Sequence, residues 1–262
     1  MSGSRLATGE VMEALETLMA RLRGAGGCPW DRKQTALSLL PYTIEEAYEV
    51  AEAVETHDKQ AWRDELGDLL FHVVFHSRIA EEEGAFGLAE VISGVVDKMT
   101  RRHPHVFDPT CEPMQEARQV PARWEEIKRA EKNDPSSVFD DIHSRLPALL
   151  WAAKVQRKMA QVGFDWQDAA GVMEKVREEL EELTQAMDTD AREEELGDVL
   201  FTLVNLARHY HVNPESALRR ATRKFQERFR YMEQSLHAEN RTPRDADLAE
   251  LETLWQASKQ RK

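Results

Sequence analysis

The segment RDELGDLLFHVVFHSR (Arg63–Arg78) recurs in altered but recognisable form as REEELGDVLFTLVNLARH (Arg192–His209). An internal repeat narrows the choice of fold more than any other feature here, because the same unit must be buildable twice from one chain. The correspondence holds in constant order. YTIEEAYEVAEAV matches EKVREELEELTQAM, setting Glu46 against Glu179 and Glu49 against Glu182; DELGDLLF matches EELGDVLF, setting Glu65 against Glu195 and Asp68 against Asp198. The offsets are 179 − 46 = 133 and 195 − 65 = 130, which assigns a three-residue difference to the loop between the paired segments. Fainter echoes flank this core. GCPWD resembles GFDWQ at Gly27 and Gly163, Lys98 and Arg102 match Lys224 and Arg228, and RWEEIK ending at Lys128 resembles LWQASK ending at Lys259. Two tandem units follow, 1–135 and 136–262, with the linker at KNDPSSVFDD.

Each unit reads as helical. In TIEEAYEVAEAVET, Ile44, Ala47, Tyr48, Ala51 and Val54 share one face, and Thr43 with Glu46 three residues on has the form of a capping box. Glycine and proline gather in GAGGCPW, RRHPHVFDPTCEP and KNDPSSV, which mark loops, and no alternating run is long enough to propose a sheet. The expected class is all-α, as tandem duplicated helical-bundle units. A formal charge of −13 argues against general affinity for nucleic acid or anionic membrane. Only Cys28 and Cys111 are present, without a disulfide framework, and MSGSRLATGEVMEALETL lacks a signal-peptide core. No stretch is long enough to span a bilayer, so the expected location is the cytoplasm.

Acidic residues carry the chemistry. Leu196, Val199, Leu200, Phe201, Leu203, Val204 and Leu206 nearly encircle one helix, yet Glu195, Asp198 and Asn205 fall on a single stripe with Thr202 between them. Buried charge without a partner is costly, so such a stripe calls for a cation or a wet cleft. Each copy reads Glu-x-x-Glu, a gap, then Glu-x-x-Asp, and residues three apart share a helical face. Two antiparallel helices would therefore converge four carboxylates. An all-oxygen set suits Mg²⁺ or Mn²⁺, and the Glu-x-x-His spacing of di-iron bundles is missing. Acidic helix faces are usually just solvated; the combination of pairs, order and duplication is what points to metal. Lys224 and Arg228 stand four apart, and Lys259 follows Trp255 by four. Singly such cations would pair with glutamates; beside a metal they suit a polyphosphate. Neither a P-loop nor a nucleophile motif is present.

Together GCPWDRKQT, PYTIEEAYEV, ELGDLLFHVVFHSRIAEEEG, RRHPHVF, GFDW and EEELGDVLFTLVNLARH resemble the MazG family of nucleoside triphosphate pyrophosphohydrolases, across nearly the whole chain. The resemblance implies an all-α fold and Mg²⁺ dependence with Mn²⁺ as a substitute. It also implies a homodimer, and hydrolysis of nucleoside triphosphates, deoxy forms included, to the monophosphate and pyrophosphate. By that resemblance the metal ligands fall on Glu179, Glu182, Glu195 and Asp198, and the phosphate and substrate contacts on Lys224, Arg228, Trp255 and Lys259. In the first copy the same pattern falls on Glu46, Glu49, Glu65 and Asp68, with Lys98, Arg102, Trp124 and Lys128 behind it. Glu178 and Glu179 are both candidates for the general base. The copies part at one place. Asn205, on the carboxylate stripe and a further substrate candidate, faces Phe75 in the alignment, and Thr202 faces His72. Phenylalanine offers no hydrogen bond to nucleotide or metal-bound water, so the second copy is expected to be the main catalyst. Trp255 is either a stacking or a packing residue, and His103 and His105 read as loop packing. Two alternatives stay open: a hydrolase of a specialised nucleotide of phosphoribosyl-ATP type, and a weakly catalytic nucleotide-binding regulatory module. The full carboxylate set with Asn205 favours catalysis.

Overall fold

Two helices joined by a very short turn form the centre of each repeat. In the computed structural model, which describes residues 7–111, 116, 120–131, 137–140, 142 and 145–260, these pairs are α2 (Ala36–Glu55) with α3 (Lys59–Glu82), and α8 (Ala169–Gln185) with α9 (Thr189–His209). Within 120–131 the side chains of 121, 122, 125 and 128–130 lie outside that description. The remaining helices are α1 (Thr8–Arg23), α4 (Leu88–Arg102), α5 (Pro104–Phe107), α6 (Val120–Glu131), α7 (Ala148–Gln161), α10 (Pro214–His237) and α11 (Leu248–Lys259). No strand occurs among the described residues, so the chain is all-α as expected. It divides into two units, Met1–Asn133 and Asp134–Lys262.

In the N-terminal unit α3 packs against α1, α2 and α4, and α6 lies on α4. Met19, Leu39, Val74, Phe75, Ile79 and Leu88 form its core. In the C-terminal unit α9 packs against α7, α8 and α10, and α11 lies on α10. Val172, Val176 and Leu206 form a smaller core there.

Side chains set the helix starts. Asp58, Asp168, Asp188, Asn213 and Asp247 each accept backbone N–H groups of the following turn, satisfying donors that the helix leaves open. Thr43 does not cap α2. The cap is Thr35, eight residues earlier, which exchanges bonds with Ser38 at 3.1 and 2.9 Å. Thr43 lies mid-helix, its hydroxyl bonded back to the Leu39 carbonyl at 3.1 Å. The three-residue offset has a different origin as well. Both hairpin turns are three residues long, 56–58 and 186–188; the extra residues lengthen the C-terminal end of α2, where Ala53 is buried.

The helices are also turned differently from the apolar pattern. On α2 the inward stripe is Leu39, Thr43, Glu46, Val50 and Ala53, while Ile44 and Val54 of the predicted face are exposed. On α9, Val199, Thr202 and Leu206 point inward, and Leu196, Leu200 and Leu203 are open; Leu66, Leu70 and Val73 are their open equivalents on α3. Both glycines of the GCPW and GFDW turns are needed, for separate reasons. A Cβ on Gly27 would strike the Leu22 and Arg21 carbonyls, whereas Gly163 has open space around it but a φ of +86°.

Candidate active site

The inward stripes bring the predicted acids together. Carboxylate oxygens of Glu179 and Glu182 on α8 and Glu195 on α9 all lie within 4.8 Å of one another; Glu46, Glu49 and Glu65 on α2 and α3 do the same in the other unit. Asp198 and Asp68 stand outside these triplets, although the charge of Asp68 reaches Glu46 and Glu65. Of the charged row on the apolar helix, Glu195 meets the partner helix's own carboxylates and Asp198 is exposed, while part of the apolar surface faces outward.

Such crowding perturbs the acids. Glu46 is held above the usual carboxyl range by burial and then by Glu49, Asp68, Glu65 and Glu45. Glu65 is raised by burial, by Glu49 and Asp68, and by a hydrogen bond shared with Glu49. Glu182 is raised by burial, against a lowering by Lys175, with Glu179 and Glu195 adding to the rise. Acids that repel one another across a shared hydrogen bond are the donor set that a hard cation relieves, so the residues fit Mg²⁺ or Mn²⁺. In the N-terminal unit the Glu46 Oε2 atom is also buried with no hydrogen-bond partner.

Lys175 was not singled out in the sequence, although it stands one turn before Glu179. Its Nζ lies 2.7 Å from Glu178 and 2.9 Å from Glu179, and both bonds hold the ammonium above the usual lysine range. The Glu179 side chain is 7% exposed and the Glu178 side chain 57%, which separates the two base candidates by environment. At the position equivalent to Lys175 the N-terminal unit carries Tyr42. There His72 stands 3.8 Å from Glu46, and the Thr43 hydroxyl contacts His72 at 3.2 Å and His76 at 3.0 Å. Burial, then His76, holds His72 below the usual histidine range.

Asn205 and Phe75 differ in setting as well as chemistry. Asn205 is buried, and its Oδ1 accepts from Arg208 at 3.0 and 2.6 Å; Arg208 in turn grips Asp165 of the GFDW turn, with His209 beside it. Burial raises the Asp165 carboxyl, but Arg208 and His209 outweigh it and leave it below the usual range. Phe75 is fully buried in its core, with Phe71 edge-on at 5.9 Å and Arg23 over its ring. The Arg208–Asp165 link, 43 residues apart in sequence, left no local signal.

The basic residues form a second group on α10 and α11. Arg228 and Lys259 lie 5.6 and 5.8 Å from the Trp255 ring centre, and Phe225 packs on that ring at 5.0 Å. Lys224, Arg228, Tyr231 and Ser258 line an open cleft of about 540 Å³. Among the described residues no carboxylate pairs with Lys224, Arg228 or Lys259. In the N-terminal unit Arg102 lies 5.6 Å from the Trp124 ring centre, and His103 packs edge-on to Trp124 at 4.9 Å, so His103 is packed as expected. There, however, Glu131 holds both Arg101 and Arg102. Lys98 is half-buried on α4, and the Lys128 side chain lies outside the described residues.

Each unit is thus an all-helical hairpin whose carboxylates converge on a cluster that could hold a metal ion. The match to known families is specific: the MazG nucleotide pyrophosphohydrolase domain model matches residues 34–107 and 167–232, once in each unit. The nucleoside triphosphate pyrophosphohydrolase/pyrophosphatase MazG of Thermotoga maritima is 46% identical over 96% of this chain and 96% of its own. The nucleoside triphosphate pyrophosphohydrolase of Escherichia coli K12 is 45% identical over 95% of this chain and 97% of its own. A crystal structure of a mazG-related protein from Thermotoga maritima is 29% identical, covering 47% of this chain and 99% of that one, with a TM-score of 0.38. The chain belongs to the MazG nucleotide pyrophosphohydrolase family. No helix among the described residues is long and apolar enough to cross a membrane.

Proposed function

We propose that the protein hydrolyses nucleoside triphosphates, deoxy forms included, to the nucleoside monophosphate and pyrophosphate. The reaction takes place in the C-terminal unit, 136–262, and depends on Mg²⁺, which Mn²⁺ can replace. The observation that carries this reading is the meeting of Glu179, Glu182 and Glu195 between α8 and α9. These three, with Asp198 on the same helix as Glu195, would hold the cation, which when bound supplies neutralisation of phosphate charge. Lys224, Arg228 and Lys259 take the remaining phosphate charge, and Trp255 fixes the last two. Asn205 keeps its amide nitrogen for the substrate while its oxygen holds Arg208. Glu178 stands outside the triplet and is more than half exposed, which supports it over Glu179 as the carboxylate that accepts the proton of the attacking water. The water oxygen bonds to the α-phosphorus, and the α–β bridging oxygen leaves with pyrophosphate.

The N-terminal unit, 1–135, keeps the acids but serves mainly in structure and assembly. Two open apolar stripes, Leu66–Leu70–Val73 and Leu196–Leu200–Leu203, support a homodimer, since such surface is costly to leave in water. Cys28 and Cys111, neither of them in a disulfide, fit a reducing cytoplasm. The test is product analysis over a panel of nucleotides with and without chelator. Pyrophosphate release that requires divalent cation is expected. Orthophosphate as the direct product, or turnover unchanged in chelator, refutes the proposal.

A further inference from the structure

We infer that the N-terminal unit contains a second anion clamp, Arg101–Arg102–Trp124, whose ligand position is filled by the chain's own Glu131 carboxylate, which keeps triphosphates out of that unit. The inference rests on reading Lys224, Arg228 and Lys259 as the phosphate clamp of the C-terminal unit.

The two units build the same platform. Arg102 near the end of α4 and Arg228 on α10 are equivalent, and each sets its guanidinium carbon 5.6 Å from the centre of an equivalent tryptophan, Trp124 or Trp255. What differs is the ligand. Arg228 has no carboxylate partner among the described residues, whereas Glu131 Oε2 receives Arg102 Nη2 at 2.6 Å and Nε at 3.1 Å, and Oε1 receives Arg101 Nε at 2.7 Å. Arg102 closes both nitrogens on one carboxylate oxygen and Arg101 takes the other, charge-assisted contacts that arginine makes to carboxylate and phosphate oxygens alike. Hydrogen bonds from Arg102 and Arg101 hold the Glu131 carboxyl at about 2, so it stays ionised at any physiological pH.

The sequence carries a second, independent mark of this difference. On the α4/α10 register Arg101 aligns with Glu227 (227 − 101 = 126), and on the tryptophan register Glu131 aligns with Lys262 (262 − 131 = 131). At both positions the sign of the charge is exchanged between copies. For Arg101 the exchange is what an ion pair reversed end for end would show; Arg102 is different, because it aligns with Arg228, so the clamp's arginine is kept while the carboxylate that closes it becomes a lysine. A carboxylate seated across two arginines beside the tryptophan is a stand-in for substrate phosphate.

The experiment titrates full-length protein with inorganic tripolyphosphate in chelator at low ionic strength, so that metal sites and turnover play no part, and counts sites by calorimetry. Wild type should bind one per chain, and Arg228→Ala should remove it. Glu131→Gln and Glu131→Ala should each bind two. Glu131→Ala with Arg228→Ala should keep one, lost again on adding Arg102→Ala. Glu126→Gln, on the same helix, controls for net charge and should add none. The inference is overturned if both Glu131 variants, shown folded by circular dichroism, gain no site, or if Glu126→Gln gains one too. If wild type binds none while a Glu131 variant gains one, the clamp in the C-terminal unit is misread and the Glu131 inference stands.

Discussion

Lys175 already pairs with Glu179, one of the carboxylates that would hold a metal ion, and its removal should tighten metal binding. At a contact of 2.9 Å to Glu179, an ion pair near a protein surface gains about 6 kcal/mol before solvation is counted. Lys175 is one-third exposed and its second partner, Glu178, is more so, and water and side-chain ordering reduce the net value to about 1–2 kcal/mol. A divalent cation drawing on Glu179 must displace the ammonium or tolerate its repulsion, and that amount is lost from its affinity. Lys175→Met keeps the aliphatic stem and removes the charge. The expected result is a Mn²⁺ dissociation constant about 5- to 30-fold lower, measured by calorimetry without substrate, since each 1.4 kcal/mol is a factor of ten. The mirror experiment is Tyr42→Lys in the N-terminal unit. Tyr42 is 43% exposed and stands one turn before Glu46, so the new lysine should weaken binding at Glu46, Glu49 and Glu65 by a similar factor. Affinity unchanged within twofold in a folded Lys175→Met protein, or weaker than wild type, would show that the ammonium does not compete for the cation's place.

Other expectations test the division of labour between units. Glu195→Ala or Asp198→Ala should lower triphosphate turnover by about two orders of magnitude or more, while Glu65→Ala or Asp68→Ala leaves most of it; equal losses in folded proteins refute the asymmetry. Phe75→Ala should cost about 3–5 kcal/mol in denaturant unfolding, because it empties a fully buried site, with the C-terminal carboxylates left intact. The Glu131 carboxyl, at about 2 in the folded chain against an ordinary 4.5, contributes stability that is complete above pH 4.5 and is lost as pH falls towards 2. Glu131→Gln should flatten acid unfolding of the N-terminal unit in that window, and a profile identical to wild type contradicts the assignment.

Much of the fold was legible because helical spacing and duplication reinforce one another. Glu46, Glu49 and Glu65, like Glu179, Glu182 and Glu195, follow from three- and four-residue spacing on two helices joined by a short turn. The rotation of those helices was not legible. Apolar residues lie on more than one side of α2 and α9, and periodicity does not say which side packs within the unit; Ile44 and Leu200 therefore lie outside while Glu46 and Thr202 lie inside. The start of α2 was misplaced because Thr43 offers a plausible cap and Thr35 with Ser38 a better one. Lys175 was visible as a neighbour of Glu179 at four-residue spacing. Arg208 with Asp165 and Arg102 with Glu131 join distant segments and depend on the fold itself.

Gly27 and Gly163 carry a lesson about the duplication. One is held by a neighbouring carbonyl that leaves no volume for a methyl group, the other by a backbone angle that side chains resist. Asparagine, which visits left-handed backbone, is a tolerable replacement at Gly163 and an impossible one at Gly27. After the copies separated, the same letter persisted under two different constraints, so their substitution histories are expected to diverge where a plain alignment scores them as identical. Shared letters between paralogous halves record descent, and the force that retains each letter has to be read from its own surroundings.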